Sequence, residues 1–379
     1  DAAAWLTDQI TALRPAAIVN ATAFSGKGAQ GDSPLDAGDV PVFQLALATS
    51  TREAWDEAER GLSPTDLAMH VALPEVDGRL FAGVASFKEP QPQDEHLQFA
   101  RYAHKADLER VEAIADKVRA WVGLAAKPAA DRRVAMVLST YPGKDWNMAH
   151  AVGLDPLASA EAILADLGKA GYCGGSLGSA QTGEVPGRAR DGVTLLALRW
   201  SATAMARPGL DPGPRDAGST FDSGVPDQVR DGLAGALSVD QVAWPLAEYE
   251  AALSTLLQSL RDDLHAAWGD PADDTTDGAF QFAAIRRGNV LVSLQPERGT
   301  PKLRGDEYHD LSRTPRHGYV AFYLWLRSQT DAVIHIGAHG TLEWLPGKSV
   351  ALSNACWPEA LIGATPVIYP LIVNDPGEA

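Results

Sequence analysis

Ala16-Ala17-Ile18-Val19-Asn20-Ala21 is an apolar run of strand length that empties into a glycine-bearing loop, Ser25 to Gly31. Trp5 to Leu13 before it carries helical spacing, and Val40-Pro41-Val42-Phe43-Gln44-Leu45-Ala46-Leu47 after it reads as the next strand. Helix, strand, loop, strand is the order of a parallel, doubly wound sheet, whose ligand crevices lie at the carboxyl ends of its strands. The expected fold class is α/β.

The pattern restarts downstream. A linker rich in Ala and Pro near Lys127 to Asp131 separates a first unit, 1–128, from a second, 129–379. Arg132 to Leu138 is a buried-strand run that enters the loop Ser139 to His150. A helix follows from Asp155-Pro156 to about Ala170. Strand, polar loop and helix start recur at ligand sites, but Asp155-Pro156 equally fits a plain N-cap and first turn. Two doubly wound units, Rossmann- or flavodoxin-like, with helical and loop insertions, are therefore expected. Helical spacing runs from Asp94 to about Leu124, and Pro245 to Trp268 reads as one helix. Val290 to Leu294 is a strand, Tyr319 to Leu326 a short aromatic helix, and Pro366 to Val373 a last strand. Residues 172–240 form an insertion rich in Gly, Pro, Asp and Ser, and the main site region is 284–379.

The composition, 45% apolar and 21% charged over 379 residues, is that of a soluble globular chain of two or three domains. No run approaches the ~20 apolar residues of a membrane span. A formal charge of −17 argues against nucleic acid or an anionic membrane as partner and suits a basic protein partner. Cys173 and Cys356, without a CxxC, point to a reduced, cytoplasmic setting. The chain opens at Asp1 and stops on the turn-like run Asn374 to Ala379, which reads as a piece of something longer.

Chemistry-bearing side chains concentrate where Ala332-Val333-Ile334 runs into His335-Ile336-Gly337-Ala338-His339-Gly340-Thr341-Leu342-Glu343. On one helix, His335, His339 and Glu343 would share a face as metal ligands do, but Gly337 and Gly340 argue for a strand-end loop that lets His339 and Glu343 converge. Imidazole and carboxylate suit a borderline divalent metal such as Co2+, and both act as bases near neutral pH. His335, between two isoleucines, reads equally as a buried, hydrogen-bonded core residue. Gly347-Lys348-Ser349 is not a phosphate loop, because the glycine that motif needs five residues before Gly347 is Leu342. No nucleotide site is expected on this chain. A second cluster holds Tyr308-His309-Asp310 and Pro315-Arg316-His317-Gly318-Tyr319. From Ala284 to His317 seven Lys and Arg stand against four Asp and Glu. That is a seat for a ligand with several carboxylates, or simply a solvated basic loop.

These segments together resemble the large, porphyrinoid-binding subunit of the class I chelatases, the cobalt branch more than the magnesium branch. The resemblance is carried by ALPEVDGR (Ala72 to Arg79), SFK (Ser86 to Lys88), VGLDPLAS (Val152 to Ser159) and QPERG (Gln295 to Gly299). It continues through YHD (Tyr308 to Asp310), PRHGYVAFYLWLR (Pro315 to Arg327), HIGAHGTLEWLPGK (His335 to Lys348), ACWPEALIG (Ala355 to Gly363) and YPLIVNDPGE (Tyr369 to Glu378). Ala355-Cys356-Trp357-Pro358-Glu359 and the ending Val373 to Glu378 favour cobalt. The loop Tyr141 to His150 departs from the family's more basic version.

The resemblance implies ATP-dependent insertion of Co2+, the metal substrate, into hydrogenobyrinic acid a,c-diamide during aerobic cobalamin synthesis. It implies two partners, an AAA+ ATPase subunit that carries ATP and Mg2+ and a companion with an integrin-like metal-binding domain. This chain alone would be inactive. His339 and Glu343 would be transient metal ligands or proton acceptors, with His335 as a further catalytic candidate. His309, Arg316, His317, Lys348 and Glu378 would hold the macrocycle. The rival readings are a magnesium chelatase subunit acting on protoporphyrin IX, a non-catalytic tetrapyrrole-binding module, and a metal-dependent hydrolase holding a stable, stoichiometric metal.

Overall fold

The computed structural model describes residues 2–28, 31–139, 156–172, 240–299, 310–337 and 342–370. The chain divides into two compact units, Asp1–Ala126 with Leu345–Pro366, and Lys127–Trp344 with Val367–Ala379.

In the first unit α1 (Ala2–Leu13) precedes β1 (Ile18–Asn20), β2 (Val42–Leu47) and α2 (Arg52–Glu57). A helical stretch follows, α3 (Pro64–Leu67) and α4 (Leu73–Val76) flanking a π-turn at Ala68–Ala72. Then come β3 (Leu80–Pro90), β4 (Tyr102–Ala106) and α5 (Leu108–Ala126). The sheet order is β1-β2-β3-β4; the first three strands are parallel and β4 is antiparallel to β3. One face buries Trp55, Leu62, Val71, Val84 and Phe87, and the other packs Phe43, Ala82, Ala85 and Ile114 against Val118 and Trp121 of α5.

The second unit holds β5 (Val134–Leu138), α6 (Pro156–Lys169), β6 (Asp240–Pro245), α7 (Leu246–Leu253), α8 (Gln258–Trp268), β7 (Ala279–Arg287) and β8 (Val290–Leu294). It continues with α9 (His317–Gln329), β9 (Ala332–Ile336) and β10 (Val367–Ile368); α10 (Trp357–Ile362), between the last two strands, belongs to the first unit. The order is β10-β9-β5-β8-β7-β6, with β10, β9, β5 and β8 parallel and β7 and β6 antiparallel at one side. Strands β5, β8 and β9 are buried along their whole length, which is why they read as continuous apolar runs rather than alternating ones. Strand β8 pairs on one side of β5 and the following parallel strand, β9, on the other. The order therefore reverses between β5 and β9, a topological switch point of the flavodoxin type.

The α/β class with parallel sheets is as expected, with several elements corrected. Residues 94–107 are not helix: Asp94 and Phe99 form an isolated bridge, and β4 is an edge strand whose exposed His104 and Lys105 suit an edge. Pro245 to Trp268 is two helices. Ser254 Oγ and Thr255 Oγ1 donate to the carbonyls of Ala251 and Ala252 at 2.7 Å, competing with the helical ladder, and Leu257 is extended (φ −55°, ψ 144°). The aromatic helix α9 is longer than expected and buries nine of its 13 residues. Leu345–Pro366, expected in the second unit, clusters with the first, where Ser349 N and Val350 N donate to the carbonyls of Glu59 (3.0 Å) and Arg60 (3.2 Å). Most of the insertion at 172–240 and the loop 141–150 lie outside the described residues. Among the described residues no helix is long and apolar enough to cross a membrane.

Candidate functional site

At the switch point Ser139 N donates to the Ile336 carbonyl (3.0 Å) and Gln295 N to the Leu138 carbonyl (2.9 Å), so β5, β8 and β9 end side by side. His335 sits one residue before the end of β9 and is 1% exposed. Its Nε2 lies 3.1 Å from Tyr323 Oη, and its ring stacks on Tyr369 at 5.5 Å. Gln295, the first residue after β8, donates through Nε2 to both Tyr319 Oη (3.0 Å) and Tyr323 Oη. Tyr319 and Tyr323 are one helical turn apart on α9, which brings both hydroxyls to the same amide.

This network sets the state of the imidazole. Tyr323 Oη accepts from Gln295 and is also hydrogen-bonded to Tyr319 and to His335 Nε2, so the tautomer of the imidazole depends on which of these takes the Tyr323 proton. Burial holds the Tyr323 hydroxyl protonated, pushing its pKa well above the usual value. Burial also pulls His335 down to about 4, with Glu343 pulling the other way, so the ring is neutral near pH 7. Nδ1 has no hydrogen-bond partner among the described residues. A buried, neutral imidazole at a strand end is what the chain presents here.

Glu343 is exposed on a single 3-10 turn, Leu342–Trp344. Arg298, 4% exposed, pins that turn by donating to the Trp344 carbonyl, and its other Nη donates to the Asp310 carbonyl at 2.9 Å. His339, His309 and Glu378 lie outside the described residues. Among the described residues no three His, Cys, Asp or Glu side chains converge to hold a metal ion.

The remaining expected macrocycle ligands are engaged by the protein itself. Arg316 is paired with Asp274, whose carboxylate also accepts from Gly318 N (2.7 Å). His317 is buried between Tyr249 Oη (2.7 Å to Nδ1) and the Gly269 carbonyl (3.1 Å from Nε2), and burial lowers its pKa against the pull of that carbonyl. These two residues brace the start of α9. Lys348, in the first unit, donates to the carbonyls of Asp56 (2.8 Å) and Ala58 (2.9 Å) and lies over the Trp55 ring at 5.1 Å. Residue types and local charge suggested ligands; the nearby acceptors that neutralise them come from distant sequence, Asp274 above all. Conversely, Gln295, Tyr319, Tyr323 and Arg298 lie in segments that carry the family resemblance but were given no role. Their signal was a polar residue directly after a buried strand and two tyrosines four apart on one helix.

The chain matches the CobN/magnesium chelatase family over residues 2–379. It is 38% identical to the aerobic cobaltochelatase subunit CobN of Pseudomonas aeruginosa, over 99% of this chain and 27% of that protein. It is 35% identical to the subunit of the same name from Sinorhizobium sp., over 96% of this chain and 26% of that protein. To the chloroplastic magnesium-chelatase subunit ChlH of Oryza sativa it is 30% identical, over 99% of this chain and 24% of that protein. Among solved structures it resembles the catalytic subunit of cobaltochelatase from Mycobacterium tuberculosis, with a TM-score of 0.68 and 31% identity over 98% of this chain and 29% of that one. The chain thus spans about a quarter of the length of the curated relatives it matches. With likeness running from one end of the sequence to the other, the chain belongs to the CobN/magnesium chelatase family.

Proposed function

We propose that this chain is part of the large subunit of a cytoplasmic, ATP-dependent cobaltochelatase that inserts Co2+ into hydrogenobyrinic acid a,c-diamide in aerobic cobalamin synthesis. The observation that carries the reading is the end-to-end likeness to subunits named for that activity, 38% and 35% identical, against 30% for the magnesium relative. ATP and Mg2+ belong to an AAA+ partner subunit, and a companion with an integrin-like metal-binding domain completes the complex. The subunit is inactive without them.

Insertion must strip water from the ion, remove protons from ring nitrogens and distort the macrocycle so that the metal can enter. Glu343, exposed on a pinned turn, is suited to accept a ring proton or to hold the ion in passing. His339 is its partner in that role. His335 orients a polar group through its Nδ1, with the ring held in place by Tyr323 and Gln295. This differs from a ligand role for His335, and the internal engagement of Arg316, His317 and Lys348 leaves His309 and Glu378 as the macrocycle ligands to test.

The test is Co2+ insertion by the intact subunit with partners and ATP, read from the absorbance change of the macrocycle. His339→Ala and Glu343→Ala should each cut the rate by about 100-fold or more, the usual worth of a positioned acid or base. Both variants inserting at the parent rate, with unchanged macrocycle affinity, would remove the pair from the mechanism. A parent that binds the ring and never inserts metal would make this a carrier module.

A further inference from the structure

Among the described residues, the buried side-chain atoms of the first unit without a hydrogen-bond partner include three on Asp66, His70 and Ser50. Asp66 is fully buried, and its Oδ2 accepts from Thr49 N (3.0 Å) and Thr49 Oγ1 (2.8 Å), while its Oδ1 bonds nothing. Four residues on, His70 is 6% exposed, and its Nδ1 bonds nothing. Ser50 follows Thr49 in the chain, and its Oγ is buried and unbonded too. Buried polar atoms are nearly always paired, so these orphans need an explanation. A buried carboxylate without a cation is the costliest of them. Among the described residues no Lys or Arg pairs with Asp66.

Two further features bear on the site. The helical stretch is wound as a π-turn over Ala68–Ala72, a rare local geometry that recurs at functional positions, and His70 is at its centre. Thr49 and Ser50 lie just past the carboxyl end of β2, the end at which parallel α/β sheets bind ligands. Burial lowers the pKa of His70, with Asp66 pulling it up and His104 pushing it down, so the imidazole is neutral and able to ligate.

We infer that Asp66, His70 and Ser50 form a site for a borderline divalent cation of the Co2+ or Zn2+ class, with Asp66 Oδ1 and His70 Nδ1 as the protein ligands. One carboxylate oxygen and one imidazole nitrogen match such an ion, and the net charge of the pair is negative. No third strong ligand converges among the described residues, so Ser50 Oγ and water complete the shell. A site with two firm ligands exchanges its ion, unlike a closed structural centre. The inference stands on the first unit alone and does not depend on the function proposed above.

The probe is Co2+, titrated into the intact protein already carrying His339→Ala and Glu343→Ala, so that those residues contribute nothing. The readings are the visible absorption of bound Co2+ and its affinity by competition with a chromophoric chelator. His70→Ala and Asp66→Asn should each weaken binding by at least about tenfold, the loss caused even by outer partners of metal ligands. His104→Ala, an exposed neighbour bonded to Ser86 Oγ at 3.2 Å, should bind as the parent does. Where Asp66→Asn fails to fold, His70→Ala alone decides. A parent that binds no Co2+, or His70→Ala binding like the parent, would overturn the site and leave its three atoms to water.

Discussion

Asp77 shows how much one side chain fixes in the first unit. Its carboxylate accepts from Ser25 Oγ (2.6 Å) and Gly26 N (2.6 Å), and it pairs with Arg79 Nη2 at 3.0 Å. Arg79 Nη1 then reaches Gln44 Oε1 at 3.0 Å, to which Asn20 Nδ2 donates at 2.7 Å. The glycine loop after β1 is thereby tied to the strand ends. A Cβ on Gly26 would lie 2.3 Å from Arg79 Nη2, so any larger residue there would have to displace that guanidinium. Against the upward push of burial, Ser25, Gly26 and Arg79 hold the Asp77 carboxyl below its ordinary range. That contribution is present above the unfolded value and is lost as pH falls through the folded one. Asp77→Ala would strand a guanidinium whose side chain is only 4% exposed, and should cost about 3–5 kcal/mol in urea unfolding. A loss within about 0.5 kcal/mol, the range of ordinary surface changes, would contradict the role given to the network. Family likeness flagged this Asp-Gly-Arg run in the sequence. Its job could not be read there, because its partners Ser25 and Gln44 are far away in the chain.

At the scale of elements, α9 and β9 form the scaffold of the candidate site. Each was legible as an apolar run, and β5 and β8 likewise, because strands buried on both faces leave an unbroken apolar signature. Strands β3, β4, β6 and β7 were not legible. Gly83, Lys88 and Glu89 break up β3, and β4 exposes most of its residues. The helices α7 and α8 merged in the sequence because the break between them comes from hydroxyl back-bonding, which apolar periodicity does not register. The two histidines on α9 and β9, His317 and His335, are held neutral mainly by burial. Both folded values lie below the ordinary 6.5, as does that of His70. Their contribution to stability is therefore complete above about pH 6.5 and is lost as pH falls toward 4, because the unfolded chain takes up the protons first. Chemical denaturation at stepped pH should show stability falling across that window, and His335→Gln should flatten the slope. An equal slope in His335→Gln would mean that the ring is not held neutral by its place between Tyr323 and Tyr369.

For the molecule as a whole, the sequence order conveyed two α/β units but not their interleaving. Leu345–Pro366 returns to the first unit after β9, a step encoded in backbone pairing with Glu59 and Arg60 rather than in composition. The stretch that gathers His335, Glu343 and Lys348 is thus divided, its first part ending β9 and its last part capping the Trp55 core. Strand order reverses between β5 and β9, the strand that ends at the stretch holding His335 and Glu343. The central claim is that this switch point serves a cobalt-branch macrocycle. It is tested most directly by titrating the intact subunit with hydrogenobyrinic acid a,c-diamide and with protoporphyrin IX, reading tryptophan fluorescence quenching. The expected result is tighter binding of the diamide by at least about tenfold, a difference of about 1.4 kcal/mol. Tighter binding of protoporphyrin IX would contradict the account and assign the chain to the magnesium branch.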